Sequence, residues 1–179
     1  MFAIIDLEWT SWKNSLKRNW SLEWEYREII QIGTIKCNNE KIIRKKNIYI
    51  KPKLNKELSS YVQILTGITQ HKINTQSIKL ENALIELEKF FKNVDTIYCN
   101  GLDKKIFSEN CKLYNITDPL FLKKIINIGP KISQKLNIKN HHFISGNLNE
   151  ILGFKSLNKH NALSDCINIF NFLVKKKII

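Results

Sequence analysis

Ile4-Ile5-Asp6-Leu7-Glu8 is the stretch on which the reading of this chain turns. Phe2 to Leu7 is short, apolar and branched, which predicts a buried strand. Two carboxylates stand two residues apart at its end. Alternate side chains of a strand face the same way, so Asp6 and Glu8 point to one side together. Like charges so placed repel unless a cation sits between them or one takes a proton. A hard divalent ion such as Mg²⁺ suits paired carboxylates. A lone D-x-E also occurs where a strand simply ends in water, so the rest of the chain has to discriminate.

Two further acids stand where elements begin. Asp95 to Cys99 reads as a short strand, followed at once by Asn100-Gly101-Leu102-Asp103 and a helix to about Tyr114. Asp165 lies early in a last helix, expected from about Asn161 to Lys175, with Leu163, Cys166, Ile167, Phe170, Leu173 and Val174 on one face. If the two short strands are parallel neighbours, Asp6, Glu8 and Asp103 converge outside the carboxyl edge of the sheet, where open α/β folds carry their sites. A last helix packed across that edge brings in Asp165. On one helix His160 and Asp165 would sit roughly 140° apart. His160 is therefore expected in the loop before the helix, after Leu157 to Lys159. A neutral imidazole there can take a proton from water; the alternative is a surface histidine. Four carboxylates call for about two divalent cations, an arrangement that suits phosphodiester hydrolysis.

Between these points, Glu28 to Lys36 alternates as a strand, Asn38-Asn39-Glu40 is a turn, and Lys41 to Ile50 returns as a strand ended by Lys51-Pro52. Helices are expected over Lys56 to Leu65, after the turn Thr66 to Thr69, and from Ser77 to Lys92 with Ser77 as its cap. Asp118-Pro119 is a break. Lys124 to Ile128 reads as a strand, and Gly129-Pro130 starts a helical stretch. His141 to Phe143 is a loop or short extended piece, and Asn147 to Leu152 a short helix. There is no internal repeat and no Pro/Gly/Ser linker, which predicts a single domain over 1–179. The class is α/β, a mixed central β-sheet flanked by helices.

The 179 residues are 43% apolar and 25% charged, which excludes a disordered chain. A net charge of +13 and a pI near 9.6 point to a polyanionic partner, nucleic acid before an anionic membrane. Cys37, Cys99, Cys111 and Cys166 form no C-x-x-C pair, so neither a zinc ribbon nor a redox motif is indicated. Nothing resembles a signal peptide or a bilayer-spanning run, so a soluble cytoplasmic protein with no membrane partner is expected. All four tryptophans, Trp9, Trp12, Trp20 and Trp24, lie within Trp9 to Arg27, interleaved with Lys13, Lys17, Arg18 and Arg27. Such a segment can track a phosphate backbone and stack bases. Equally, Trp20 and Trp24 can anchor a long loop on the core while Trp9, beside Glu8, faces the site.

These motifs together resemble the DEDDh 3′–5′ exonucleases, the superfamily of the polymerase III proofreading subunit, RNase T and oligoribonuclease. Asp6-Leu7-Glu8 matches the first motif of that family. Asn100-Gly101-Leu102-Asp103 matches the second, with Cys99 where His or Ser is common. His160-Asn161-Ala162-Leu163-Ser164-Asp165 matches H-x-A-x-x-D in full. Glu28-Ile29-Ile30-Gln31-Ile32-Gly33 is similar to the family's E-I-I-E-I-G strand, and Leu65-Thr66-Gly67-Ile68-Thr69 to its L-T-G-I-T segment. The resemblance runs from Phe2 to about Val174 and implies a ribonuclease H-like fold. It implies Asp6, Glu8, Asp103 and Asp165 as ligands of two Mg²⁺ or Mn²⁺ ions and His160 as general base. Leu65 corresponds to the apolar residue against the terminal base, and Asn100 lies near the substrate strand, though either could equally be structural. Where the family often has Thr after the D-x-E Glu, this chain has Trp9 and then Thr10, so the terminal nucleotide falls to those two. The implied partner is single-stranded RNA or DNA, and a homodimer is among the assemblies relatives form. The implied activity is release of nucleoside 5′-monophosphates from 3′ ends. The competing readings are a catalytically silent nucleic-acid-binding module on the same fold, and a basic adaptor docking through its tryptophans.

Overall fold

The computed structural model describes residues 1–137, 145, 148–153 and 160–178. Five strands form one sheet: β1 (Phe2–Trp9), β2 (Ile29–Cys37), β3 (Ile42–Tyr49), β4 (Thr96–Cys99) and β5 (Ile125–Asn127). Their order is β3-β2-β1-β4-β5. β1 pairs antiparallel with β2, β2 antiparallel with β3, while β1–β4 and β4–β5 are parallel. The sheet is therefore mixed, with the apolar β1 at its centre and buried on both faces.

The pleat of β1 separates two cores. Ala3, Ile5 and Leu7 pack with α4 (Leu80–Phe90) and α5 (Asp103–Leu113) on one face. Phe2 and Ile4 pack with α6 (Gly129–Leu136), α7 (Leu148–Ile151) and α8 (Ala162–Lys175) on the other. The three-layer α/β/α arrangement is the ribonuclease H-like fold expected of a mixed sheet with helices on its faces. A smaller cluster of Leu58, Val62, Ile68 and Ile73 packs α2 (Ser60–Thr66) and α3 (Gln70–Gln76) against Ile30 and Tyr49. Among the described residues, no helix is long and apolar enough to cross a membrane.

Several boundaries differ from the sequence reading for identifiable reasons. Ser77 is not the cap of α4. Ile78 instead makes a parallel bridge to Ile50, with its N–H on Tyr49 and its carbonyl on Lys51, so the chain stays extended until Leu80. Ser77 ends α3, donating its hydroxyl to the Ile73 carbonyl. The helix expected from Lys56 starts at Ser60, where the Ser59 side chain accepts the Val62 N–H. A 3₁₀ turn (Leu120–Lys124) precedes β5 and takes Lys124 out of that strand. The buried face of α8 also includes Ile169 and Phe172, while Leu163, Ile167 and Val174 are half-buried. The expected loop at His141 to Phe143 and the residues Leu157 to Lys159 lie outside the described residues.

Candidate active site

β1 and β4 share register only over Phe2–Thr96 to Ile4–Tyr98. Beyond Ile4 the two strands part, and the Leu7 N–H has no strand partner on that side. The Asp103 carboxylate fills the gap, accepting that N–H at 3.1 Å. Asp103 is the first residue of α5, so its charge also faces a helix N-terminus. The turn that delivers it includes Gly101 at φ 135°, a conformation open to glycine. Asn127 steadies this turn, its Oδ1 accepting the N–H groups of Gly101 and Gly129 at 3.2 and 2.9 Å.

Asp165 arrives from the other layer. The first turn of α8 lies directly on β2 at Gly33, where a Cβ would come within 2.2 Å of the Ala162 carbonyl carbon and the Leu163 nitrogen. Only glycine permits that approach. Beside it, buried Gln31 accepts the Ala162 N–H at 3.1 Å and donates to Asn47 Oδ1 at 2.8 Å. Cys166 donates weakly to the Gly33 carbonyl. Asn161 caps the helix through Ser164, and His160 precedes the cap at φ 56°, half-buried. His160 is therefore outside the helix, as the spacing to Asp165 requires.

Ligand oxygens of Asp6, Glu8 and Asp165 lie within 4.8 Å of one another. Asp103 is not in that tight group but acts on both Asp6 and Glu8 through space. All four carboxylates are at most 8% exposed. Burial comes first in raising every one of them, and for Asp6, Glu8 and Asp165 repulsion from neighbouring acids adds to it. Asp6 and Glu8 are held well above the usual carboxylate range, Asp6 by Asp103, Asp165 and Glu8, and Glu8 by Asp165 and Asp103. Asp103 is pushed up to about 6, against hydrogen bonds from Leu7 and Cys99. Asp165 is pushed up to about 7, against hydrogen bonds from the Asn168 amide and the His160 backbone. The groups acting on Asp6 and Glu8 are acids and, for Asp6, one hydroxyl; none of them is basic. Buried acids with no cation among the described residues to offset them form a hard-oxygen donor set that fits divalent metal.

The remaining sequence candidates are placed differently. Asn100 is half-buried and donates to Ser145 Oγ at 3.0 Å, and Ser145 in turn hydrogen-bonds Asp6. Ser145 carried no signal in the sequence, and neither did Gln31 beyond its place in the Glu28-to-Gly33 run. Trp9 leaves β1 at a bulge and packs against the core that holds Leu7, with its ring 6.4 Å from Trp20. Thr10 is buried, its hydroxyl donating to the Tyr26 carbonyl and accepting the Glu28 N–H. Both take part in closing the loop after β1. The anchoring expected of Trp24 is instead done by Trp9, and Trp24 is 49% exposed. Leu65 is half-buried on α2, whose cap Ser59 ties back to Ser11 through its hydroxyl. Glu28, of the same run as Gln31, is fully buried and accepts the N–H groups of Lys53, Leu54 and Asn55 and the Tyr114 hydroxyl.

Comparison with known proteins agrees with this geometry. No curated protein sequence matches the chain. Among solved structures, the nuclease domain of 3'hExo, a DEDDh family member bound to rAMP, superposes with a TM-score of 0.84 at 23% identity, over 97% of this chain and 90% of that one. Cell-death related nuclease 4 matches with a TM-score of 0.76 at 24% identity, over 97% of this chain and 62% of that one. An E. coli exonuclease I–single-stranded DNA complex matches with a TM-score of 0.67 at 14% identity, over 97% of this chain and 39% of that one. The RNase T exonuclease family model covers residues 3–173, nearly the whole chain, and the chain belongs to that family of nucleases.

Proposed function

We propose that this protein is a metal-dependent 3′–5′ exonuclease that releases nucleoside 5′-monophosphates from single-stranded RNA or DNA. The observation that carries the reading is the convergence of Asp6, Glu8 and Asp165 within 4.8 Å at the edge where Asp103 also opens its helix. Asp6, Glu8, Asp103 and Asp165 would hold two divalent ions, Mg²⁺ or Mn²⁺, which supply Lewis acidity to the phosphate and to the leaving 3′ oxygen. His160, just ahead of the α8 cap, takes the proton of the water that attacks phosphorus. The P–O3′ bond breaks, the 3′ oxygen takes up a proton, and the terminal nucleotide leaves with its 5′-phosphate. Asn100 and Ser145 keep Asp6 oriented. Leu65, on the half-buried face of α2, is assigned to the terminal base. The family membership, the four acids in motif order and the charge of +13 support this reading.

The test is a time course on 5′-labelled single-stranded RNA and its DNA counterpart with Mg²⁺, Mn²⁺ or excess EDTA. A ladder that shortens from the 3′ end and is silenced by EDTA is expected. Intact substrate in both metals, with a shift on a binding gel, would replace the exonuclease by a silent binding module.

A further inference from the structure

The segment from Trp9 to Arg27 is the sequence feature that the acidic site does not use. Its base is fixed to the end of β1, the strand of Asp6 and Glu8. Trp20 donates its indole N–H to the Thr10 carbonyl at 3.2 Å, and Arg27 lies over the Trp20 ring at 5.4 Å. Its outer part is braced from within. The buried Glu25 carboxylate pairs with Arg18 and accepts the Ser15 hydroxyl, and Ser15 in turn accepts the Trp12 N–H at 2.8 Å. Asn55 donates to the Trp24 carbonyl at 2.8 Å.

This bracing presents large apolar side chains to water. Trp24 meets Trp12 edge-on at 4.8 Å yet keeps 49% of its surface exposed, and Leu22 and Tyr26 beside it each keep 40%. Exposed apolar surface of this kind marks an interaction site. Lys13 and Lys17 are exposed and take part in no ion pair among the described residues; Glu23 is the exposed acid nearby. Exposed aromatic side chains and unpaired cations on one segment suit single-stranded nucleic acid, whose every base offers a π-face. The charge of +13 favours such a polyanion over a protein partner.

We propose that Trp24, backed by Trp12, is a stacking platform for a base within single-stranded nucleic acid, with Lys13 and Lys17 meeting its phosphates. The platform holds the body of the strand while its 3′ end lies at the acids, and in that last respect it rests on the exonuclease reading.

The test separates the two. Binding of a fluorescently labelled 12-nucleotide RNA is measured by anisotropy in EDTA, where hydrolysis plays no part. Trp24→Ala should weaken binding about 5- to 150-fold, the usual worth of one stacked base, and Trp24→Phe should recover most of it. Lys13→Glu with Lys17→Glu should weaken binding and flatten its salt dependence by about 1.4 in the log–log slope. Wild-type affinity in Trp24→Ala, or no wild-type binding at all, overturns the platform whatever the hydrolysis assay returns. Binding through Trp24 by a protein that cuts nothing upholds the platform and removes the nuclease.

Discussion

Asp165→Asn should stabilise the metal-free protein at alkaline pH, although it removes an acid from the site. A carboxyl whose folded pKa lies above its unfolded value binds its proton more tightly when folded. Its effect is nil below the unfolded pKa, and stability falls as pH rises toward the folded one. For Asp165 that window runs from 3.8 to about 7. The displacement corresponds to about 4 kcal/mol, reached above pH ~7, and to about 1 kcal/mol near pH 4.5. Asp165 titrates together with its neighbouring acids, so only part of that displacement belongs to it alone, and about 2 kcal/mol is the working value for the variant at pH 8. The Asn side chain keeps an oxygen for the Asn168 amide, so the packing of α8 is undisturbed. For a chain of this size the gain is about 4–8 °C in Tm. The assay is thermal melting in EDTA near pH 4.5 and pH 8, then at pH 8 with Mg²⁺. The variant should melt higher than wild type at pH 8, nearly equal at pH 4.5, and gain less from Mg²⁺. A gap independent of pH, or a variant that melts lower at pH 8, would refute the claim that buried like charge destabilises this edge.

Asp6→Ala should abolish hydrolysis on the labelled RNA and DNA while leaving the circular dichroism spectrum unchanged; residual metal-dependent turnover would remove Asp6 from the site. His160→Ala should lower kcat by about 10²–10⁴-fold, the usual contribution of a general base. An unaltered kcat would reduce His160 to a turn residue. Gly33→Ala drives a methyl group into the α8 backbone at 2.2 Å and should lose activity together with stability, read from Mg²⁺-dependent turnover and a melt. Glu28→Ala leaves three N–H groups and the Tyr114 hydroxyl without their acceptor and should cost about 3 kcal/mol in urea unfolding. A change under about 1 kcal/mol would mean that water replaces the carboxylate.

The acids were legible because strand ends impose their own geometry. A two-residue spacing puts Asp6 and Glu8 on one face, and a short strand followed by Asn100 to Asp103 brings a third acid to the same edge. The angle between His160 and Asp165 on a helix placed the histidine ahead of α8. What could not be read was everything set by packing between distant segments. Gln31 looks like any polar residue of a half-buried strand until the N-terminus of α8 is laid over it. Ser145 lies far in sequence from both Asn100 and Asp6, with no spacing rule to join them. Trp9, after the bulge at Glu8, packs on the core while Trp24 stays half exposed, and neither outcome follows from sequence spacing. Ser77 was drawn into a different element because a bridge at Ile78 is a tertiary contact.

The seat of α8 on β2 also fixes when the acidic edge of this protein is completed. Ala162 reaches Gln31 across 131 residues and Cys166 reaches Ile4 across 162. A growing chain on the ribosome can form the β2–β3 hairpin early, because its contacts are local. The acid pair of β1 stays without Asp165 until the helix that carries it has been made and has emerged. Synthesis from the N-terminus therefore leaves the acidic edge incomplete while the chain is being made, and closes it only when α8 docks.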